Sequence, residues 1–222
     1  MGQHTLTFWG NLAFLLSTEK IMWRSLLLVP IGMILHDYLK APIDRLYFSN
    51  PRRIMVGIQN TFMDILNVVS TSEIPGLWLV KAHYDKIRQE FLEVSPTLER
   101  HMFHDIDPWF DINDGYYFYK ADDFPLLKSL IDQISSIHKE TARFAVVEGP
   151  MVIPPHRAES NWYLRYHLTI EGGGDCTLYT EKGAHIHEDG EDILFDHARY
   201  HELIKIDEGR RVVLILDVHR CL

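Results

Sequence analysis

Five side chains in the C-terminal half of the sequence have types and positions that could do chemistry together: His156, Arg165, His167, His201 and Arg211. Counting histidines selects none of them, because there are thirteen in 222 residues. Position is more informative. His156 closes the run Pro154-Pro155-His156-Arg157-Ala158, just past a predicted strand, where a closed β structure projects a side chain into its mouth. His201 follows the apolar run Ile193 to Phe195 through Asp196-His197-Ala198-Arg199-Tyr200 and precedes Glu202. Neither sits in the dense local cluster of a zinc site, so each taken alone reads as a surface or hydrogen-bonded histidine. Arg165 and His167 are two apart in a predicted strand and share a face, whereas Leu164, Tyr166 and Leu168 take the other. A cation and a histidine facing inward need a reason. Arg211 precedes Val212-Val213-Leu214-Ile215-Leu216, and a guanidinium at the edge of so apolar a run suits bidentate capture of a carboxylate. The plainer alternative pairs it with Asp217, Glu208 or water.

The elements that must position these residues fall into two kinds. Leu77, Val80, Tyr84, Ile87, Phe91 and Val94 recur at steps of three and four, which predicts one amphipathic helix closed by Pro96. Asp122 and Asp123 precede Pro125, and Leu127, Leu130, Ile131, Ile134 and Ile137 follow at helical spacing. A second helix with an acidic cap is expected there. Between the helices, Gly115 to Lys120 reads as an aromatic strand. After Phe144 short β-branched and aromatic runs alternate with turn signals such as Gly172-Gly173-Gly174, Glu188-Asp189-Gly190 and Asp207-Glu208-Gly209. Strands are expected at Phe144 to Ile153, Trp162 to Ile170, Cys176 to Thr180, Ile193 to Asp196, Glu202 to Ile206 and Val212 to Val218. Such strands close into a sandwich or barrel, including the double-sheet jelly roll.

Composition narrows the class further. The chain is long enough for one sizeable core, and its apolar and aromatic content is that of a folded protein. A net charge of -9 and a pI near 5.8 disfavour nucleic acid and give no electrostatic attraction to an anionic bilayer. Two cysteines, Cys176 and Cys221, do not make a secreted disulfide framework and point to a reducing, cytoplasmic setting. Leu26 to Leu35 is apolar apart from Pro30 and Gly32, within a hydrophobic region starting near Leu6, but its uninterrupted length is too short to span a bilayer. It is expected to form a helix that packs on the core, or an interfacial segment giving peripheral membrane contact. The expected organisation is a hydrophobic, mainly helical extension over 1–70 and a catalytic domain over 71–222.

The ordered set Pro155-His156, Asn161, Leu164-Arg165-Tyr166-His167-Leu168, Ile193-Leu194-Phe195-Asp196, His201-Glu202 and Arg211 to Leu216-Asp217-Val218 resembles the aspartyl/asparaginyl β-hydroxylase family, from about Phe144 to Val218. The resemblance implies an α+β fold: a double-stranded β-helix (jelly roll, cupin-like) over about 144–218, with flanking helices and a helical N-terminal extension. It implies Fe(II) as cofactor, with 2-oxoglutarate and O2 as co-substrates. By resemblance His156 and His201 are the iron ligands, and Arg211 holds the distal carboxylate of 2-oxoglutarate. Arg165 with His167 contacts its other end or the iron-proximal region. Many non-haem iron sites place a carboxylate two residues after the first histidine. Here Ala158 stands there, and the family commonly lacks that acid, leaving the position to water. The family's frequent serine near the co-substrate is replaced by Ala145.

The implied activity is hydroxylation of an unactivated carbon, on an Asp or Asn side chain of a peptide or protein, with a lipid acyl chain as the alternative substrate. A non-catalytic jelly-roll binding module is the non-enzymatic alternative; the set His156, His201 and Arg211 argues against it. A second metal pattern lies in Gly183-Ala184-His185-Ile186-His187-Glu188-Asp189-Gly190-Glu191, where two histidines at strand spacing precede a glutamate, as in a cupin site. Glycine lies closer to His185 than the cupin pattern has it, and the segment runs into an acidic turn. A solvated hairpin is the expectation. Trp109 and Phe110, beside Pro108, are candidates for a substrate cleft or a packing anchor.

Overall fold

A computed structural model describes residues 28–40, 44, 47–66, 74–103 and 114–220. The chain divides into two units, Met1–Asn67 and Val68–Leu222. In the first, helix α1 covers residues 28–40 and helix α2 covers Pro51–Ile65. Asn50 caps α2 by accepting from the Arg52 N–H at 3.0 Å, and Pro51 occupies the first turn, where no N–H is needed. Residues 1–27, which include most of the apolar run starting near Leu6, lie outside the described residues, as do Trp109, Phe110 and Cys221.

In the second unit the helices are α3 (Leu77–Ala82), α4 (Tyr84–Val94) and α5 (Pro125–Ile131). The strands are β1 (His101–Met102), β2 (Tyr116–Lys120), β3 (Arg143–Glu148), β4 (Met151–His156), β5 (Tyr163–Glu171), β6 (Cys176–Thr180), β7 (Gly183–Ile186), β8 (Asp192–Phe195), β9 (His201–Lys205) and β10 (Arg210–His219). A six-stranded sheet runs β1-β2-β3-β10-β5-β8 and a four-stranded sheet runs β4-β9-β6-β7, with every ladder antiparallel. This is the double-sheet jelly roll expected from the sequence.

Two cores follow from strand alternation. On β10, Val212, Leu214, Leu216 and Val218 pack with Phe91, Leu127, Phe144, Leu164 and Leu168 under the helices. Val213 and Ile215 on its other face pack with Ile153, Leu178, Phe195 and Leu203 between the sheets. Each such aliphatic or aromatic side chain contributes about 1.5–3 kcal/mol on burial. The site opens into the second core.

Three expectations change in detail. The single helix over 77–94 breaks at His83, which leaves helical geometry (φ -102°, ψ 16°) while its ring Nδ1 donates to the Leu79 carbonyl at 2.9 Å. The ring takes the acceptor that the backbone would have used to continue the helix. α5 stops at Ile131, and its cap is not acidic residues before it: Glu90 on α4 accepts from the Leu126 and Leu127 N–H groups at 2.6 and 3.0 Å. The run from Phe144 to Ile153 is two strands, since Gly149 (φ 71°) turns the chain between β3 and β4.

Candidate active site

His156 ends β4 and His201 begins β9, and the two are direct register partners across the small sheet. Pro154 and Pro155 lack N–H donors, and the β4/β9 register shifts between Ile153 and His156. Prolines are tolerated there because β4 is an edge strand. The two imidazole rings come together with centroids 4.3 Å apart. Each ring Nδ1 lies 2.9 Å from the carbonyl two residues earlier, His156 on Pro154 and His201 on Arg199. A carbonyl only accepts, so both Nδ1 atoms carry a proton, and in the neutral ring Nε2 is then the atom with a lone pair for a metal. That arrangement is the usual orienting shell of a metal-binding histidine. Burial, with His156 beside it, holds His201 well below the ordinary histidine range and so neutral.

A narrow cleft between the sheets is lined by His156, Arg165, His167, His201 and Arg211 together with Tyr116 and aliphatic side chains. All five residues singled out in the sequence therefore reach one cavity. Neither ring nitrogen of the buried His167 has a hydrogen-bond partner, and burial followed by Arg211 keeps this ring neutral as well. Arg211 is 3% exposed and its Nε has no partner. Gly173, at φ 74°, lets the loop after β5 pass close by; a Cβ there would sit 2.8 Å from Arg211. Among the described residues, no group of three or more His, Cys, Asp or Glu side chains could hold a metal. With Ala158 in the acid position, His156 and His201 stand as a pair.

Two residues expected from the sequence to play other roles support this site. Asp217 pairs with Arg165 through two bonds, Nε to Oδ1 at 2.8 Å and Nη2 to Oδ2 at 3.1 Å. The strands β5 and β10 place these residues directly opposite. Arg211 does not take Asp217, because both lie on the inner face of β10 but six residues apart, about 20 Å at ~3.3 Å per residue. His187 corrects the solvated-hairpin expectation: it is 2% exposed, and its Nε2 accepts from Arg211 Nη2 at 3.2 Å. An arginine only donates, so the His187 proton is on Nδ1, facing Cys176 Sγ at 3.6 Å. Its neighbour His185 is less buried, so strand spacing did not give the two a shared environment. The clue in the sequence was a histidine directly after the short run ending in Ile186, masked by the acidic turn that follows.

The sequence model of the aspartyl/asparaginyl beta-hydroxylase family matches residues 81–221. The chain belongs to this family. Solved structures similar to it include a cupin-superfamily sugar phosphate isomerase from Silicibacter pomeroyi, at 11% identity over 56% of this chain and 73% of that one, with a TM-score of 0.37. KdgF from Halomonas sp. is 12% identical over 54% of this chain and 95% of that one, with a TM-score of 0.34. The Cnp3 cupin domain of Schizosaccharomyces pombe is 9% identical over 50% and 70%, with a TM-score of 0.33. No curated protein matches the chain. As a β-hydroxylase family member, the chain carries a hydroxylase-type oxygenase domain on a jelly-roll scaffold, with the two histidines paired across β4 and β9.

Proposed function

We propose that the protein is an Fe(II)- and 2-oxoglutarate-dependent dioxygenase that hydroxylates an unactivated carbon, on an Asp or Asn side chain of a peptide or protein. One observation supports this reading: two facing histidines with Nδ1 spent on backbone carbonyls share a cleft with a buried guanidinium that has no carboxylate partner among the described residues. The donor set fits the group. His156 and His201 would hold the iron through Nε2, and the missing acid leaves further positions to water and co-substrate. When bound, iron with 2-oxoglutarate and O2 supplies the oxidising power for the C–H bond, forming succinate and CO2.

The chain's own residues would do the rest. Arg211 would bind the distal carboxylate, replacing an uncompensated buried charge by a charge-assisted pair. Neutral His167 would offer a ring N–H to the other end of the co-substrate, beside Arg165 held by Asp217. Ile153, Leu178, Leu203 and Ile215 line the cleft and would exclude water, which strengthens these contacts. A lipid acyl chain is the second substrate reading, favoured by the apolar outer surface of the N-terminal unit.

Anaerobic titration with Fe(II) and then 2-oxoglutarate, followed through the visible metal-to-ligand charge-transfer band, tests the reading. The native chain should develop the band, and Arg211→Ala should need at least about ten-fold more 2-oxoglutarate, the loss of one buried charge-assisted contact. A native chain that gives no band and forms no succinate would return the non-catalytic binding module. His187→Phe keeps the ring volume and removes the acceptor that orients Arg211. Its half-saturating 2-oxoglutarate concentration should rise several-fold, from one lost bond of about 1 kcal/mol, while the iron affinity stays native. Equal co-substrate affinity would show that Arg211 needs no such support.

A further inference from the structure

The N-terminal unit is built inside out. On α2 the buried residues are Arg53, Val56, Gly57, Asn60 and Thr61, and on α1 Asp37 is buried. The large apolar residues face outward. Leu28, Ile31, Leu35 and Leu39 recur at steps of three and four along one face of α1, and all are exposed. On α2 Met55, Phe62 and Ile65 are exposed at steps of seven and three, with Leu66 exposed at its C-cap. Eleven of the eighteen exposed large apolar side chains among the described residues lie in this unit, and only Tyr47 and Val56 of its hydrophobic residues are buried there. A helix in water buries its apolar stripe, so both helices reverse the normal rule.

Polar contacts tie this interior together. The Asp44–Arg53 pair closes at 2.9 Å with both side chains buried. Tyr47 Oη donates to the Ile34 carbonyl at 3.3 Å, and Thr61 Oγ1 to the Met33 carbonyl at 3.4 Å. Gly57 marks the closest approach, since a Cβ there would fall 2.2 Å from Asp37 and 2.7 Å from Tyr47 Oη. Small and hydrogen-bonding residues between helices hold them together in lipid, where apolar contact gains nothing over the acyl chains. In water such an interior has little driving force. No helix among the described residues is long and apolar enough to cross a membrane. From Leu6 to Leu35 the sequence carries only Glu19, Lys20 and Arg24 as charges, so the apolar character extends toward the N-terminus. Tyr38, Tyr47 and Phe48 cluster at the turn between the helices with centroids 4.9 to 5.2 Å apart, beside Lys40, as aromatic and basic residues gather at a bilayer interface.

We infer that the helices of residues 28–66 form a lipid-facing pair that seats the chain in the acyl region of one bilayer leaflet. The seating is hydrophobic, because the chain's net charge of -9 opposes attraction to anionic headgroups. This inference stands apart from the reaction class and does not need the iron site.

Flotation of the full chain with phosphatidylcholine vesicles tests it. The native chain should float with them, unchanged by high salt, whereas Leu35→Glu/Phe62→Glu should float at least about ten-fold less, the cost of placing carboxylates in hydrocarbon. Both positions are exposed, and circular dichroism checks that the variant keeps its helix and strand content. A bimane label at Leu35→Cys, in a chain carrying Cys221→Ser, gives a second measurement that needs no charged substitution. Its fluorescence should be quenched by doxyl groups on the lipid chains, and a label at Asp64→Cys should be quenched less. A native chain that stays out of the vesicle fraction, equal flotation of the glutamate variant, or a lipid-free dimer with the Leu35 label shielded from aqueous quencher would each overturn the inference.

Discussion

His201→Ala should abolish the Fe(II)·2-oxoglutarate charge-transfer band and succinate formation while leaving the fold in place. In the proposed site His156 and His201 alone would hold the iron: Ala158 is where an acid would stand, and no group of three His, Cys, Asp or Glu side chains able to hold a metal forms among the described residues. Removing one of the two would take away half of the protein's proposed hold on the metal, so a large loss is expected even at saturating iron. His201 is buried neutral at the start of β9, with its Nδ1–H on the Arg199 carbonyl. Its loss therefore leaves no unpaired charge, and the stability cost should stay near the ~1 kcal/mol of a single buried hydrogen bond. Titration by visible absorbance, paired with a thermal melt, separates the two effects. A native band in the alanine variant would remove His201 from the site, and with it the proposed function.

Asp217→Ala should have the largest effect on stability, about 3–5 kcal/mol, because it strands the largely buried Arg165 guanidinium without its bidentate partner. Arg143 and the buried His197 also face this carboxylate, with His197 Nδ1 at 3.6 Å. Burial opposes ionisation of Asp217, but the attraction and hydrogen bonds of Arg165 prevail and hold it well below the usual carboxylate range. The sign of the pH dependence follows. A carboxyl depressed by folding contributes its stability fully above its unfolded value of about 4, and loses it as pH falls through that value toward the folded one. His197, lowered to about 3 by burial and then Arg165, adds loss on the same acid side, between the ordinary histidine value and its own. Urea unfolding from neutral pH downward should show the native chain losing stability steeply in acid and the Asp217→Ala variant losing less. Arg165→Leu in the Asp217→Ala background should recover part of the loss, since it removes the stranded charge. A single-variant cost below about 1 kcal/mol would mean that Arg165 is solvated in the folded state.

Asp217 and His187 show where tertiary structure decided. From sequence Asp217 is a residue near the end of an apolar strand, and nothing local links it to Arg165, fifty-two positions away. Only the β5/β10 register sets them opposite one another. His187 sits before an acidic turn, a local pattern typical of solvent, yet β6 carries Cys176 beneath it and β10 brings Arg211 to its Nε2. The N-terminal helices make the same point in reverse. Apolar residues at helical spacing say that a helix has a face, but not whether that face turns inward, and the burial of Asn60, Thr61 and Arg53 is decided only once the two helices are packed.

The five residues on which the sequence converged, His156, Arg165, His167, His201 and Arg211, do line one cleft. Strand alternation determined that much: a period of two fixes which side chains share a face, so Arg165 and His167 parted from Leu164 and Leu168 without any knowledge of the partner strands. The jelly-roll class was legible for the same reason, through short β-branched runs between glycine and acidic turns. What the sequence by itself determined is thus the local periodicity and the side chains offered to the interior. Only tertiary structure decided who pairs with whom: that Nδ1 of each facing histidine is spent on a carbonyl, that Asp217 holds Arg165, and that Arg211 is left buried beside His187 with no carboxylate. Those choices depend on register between strands distant in the chain, and local periodicity carries no information about register.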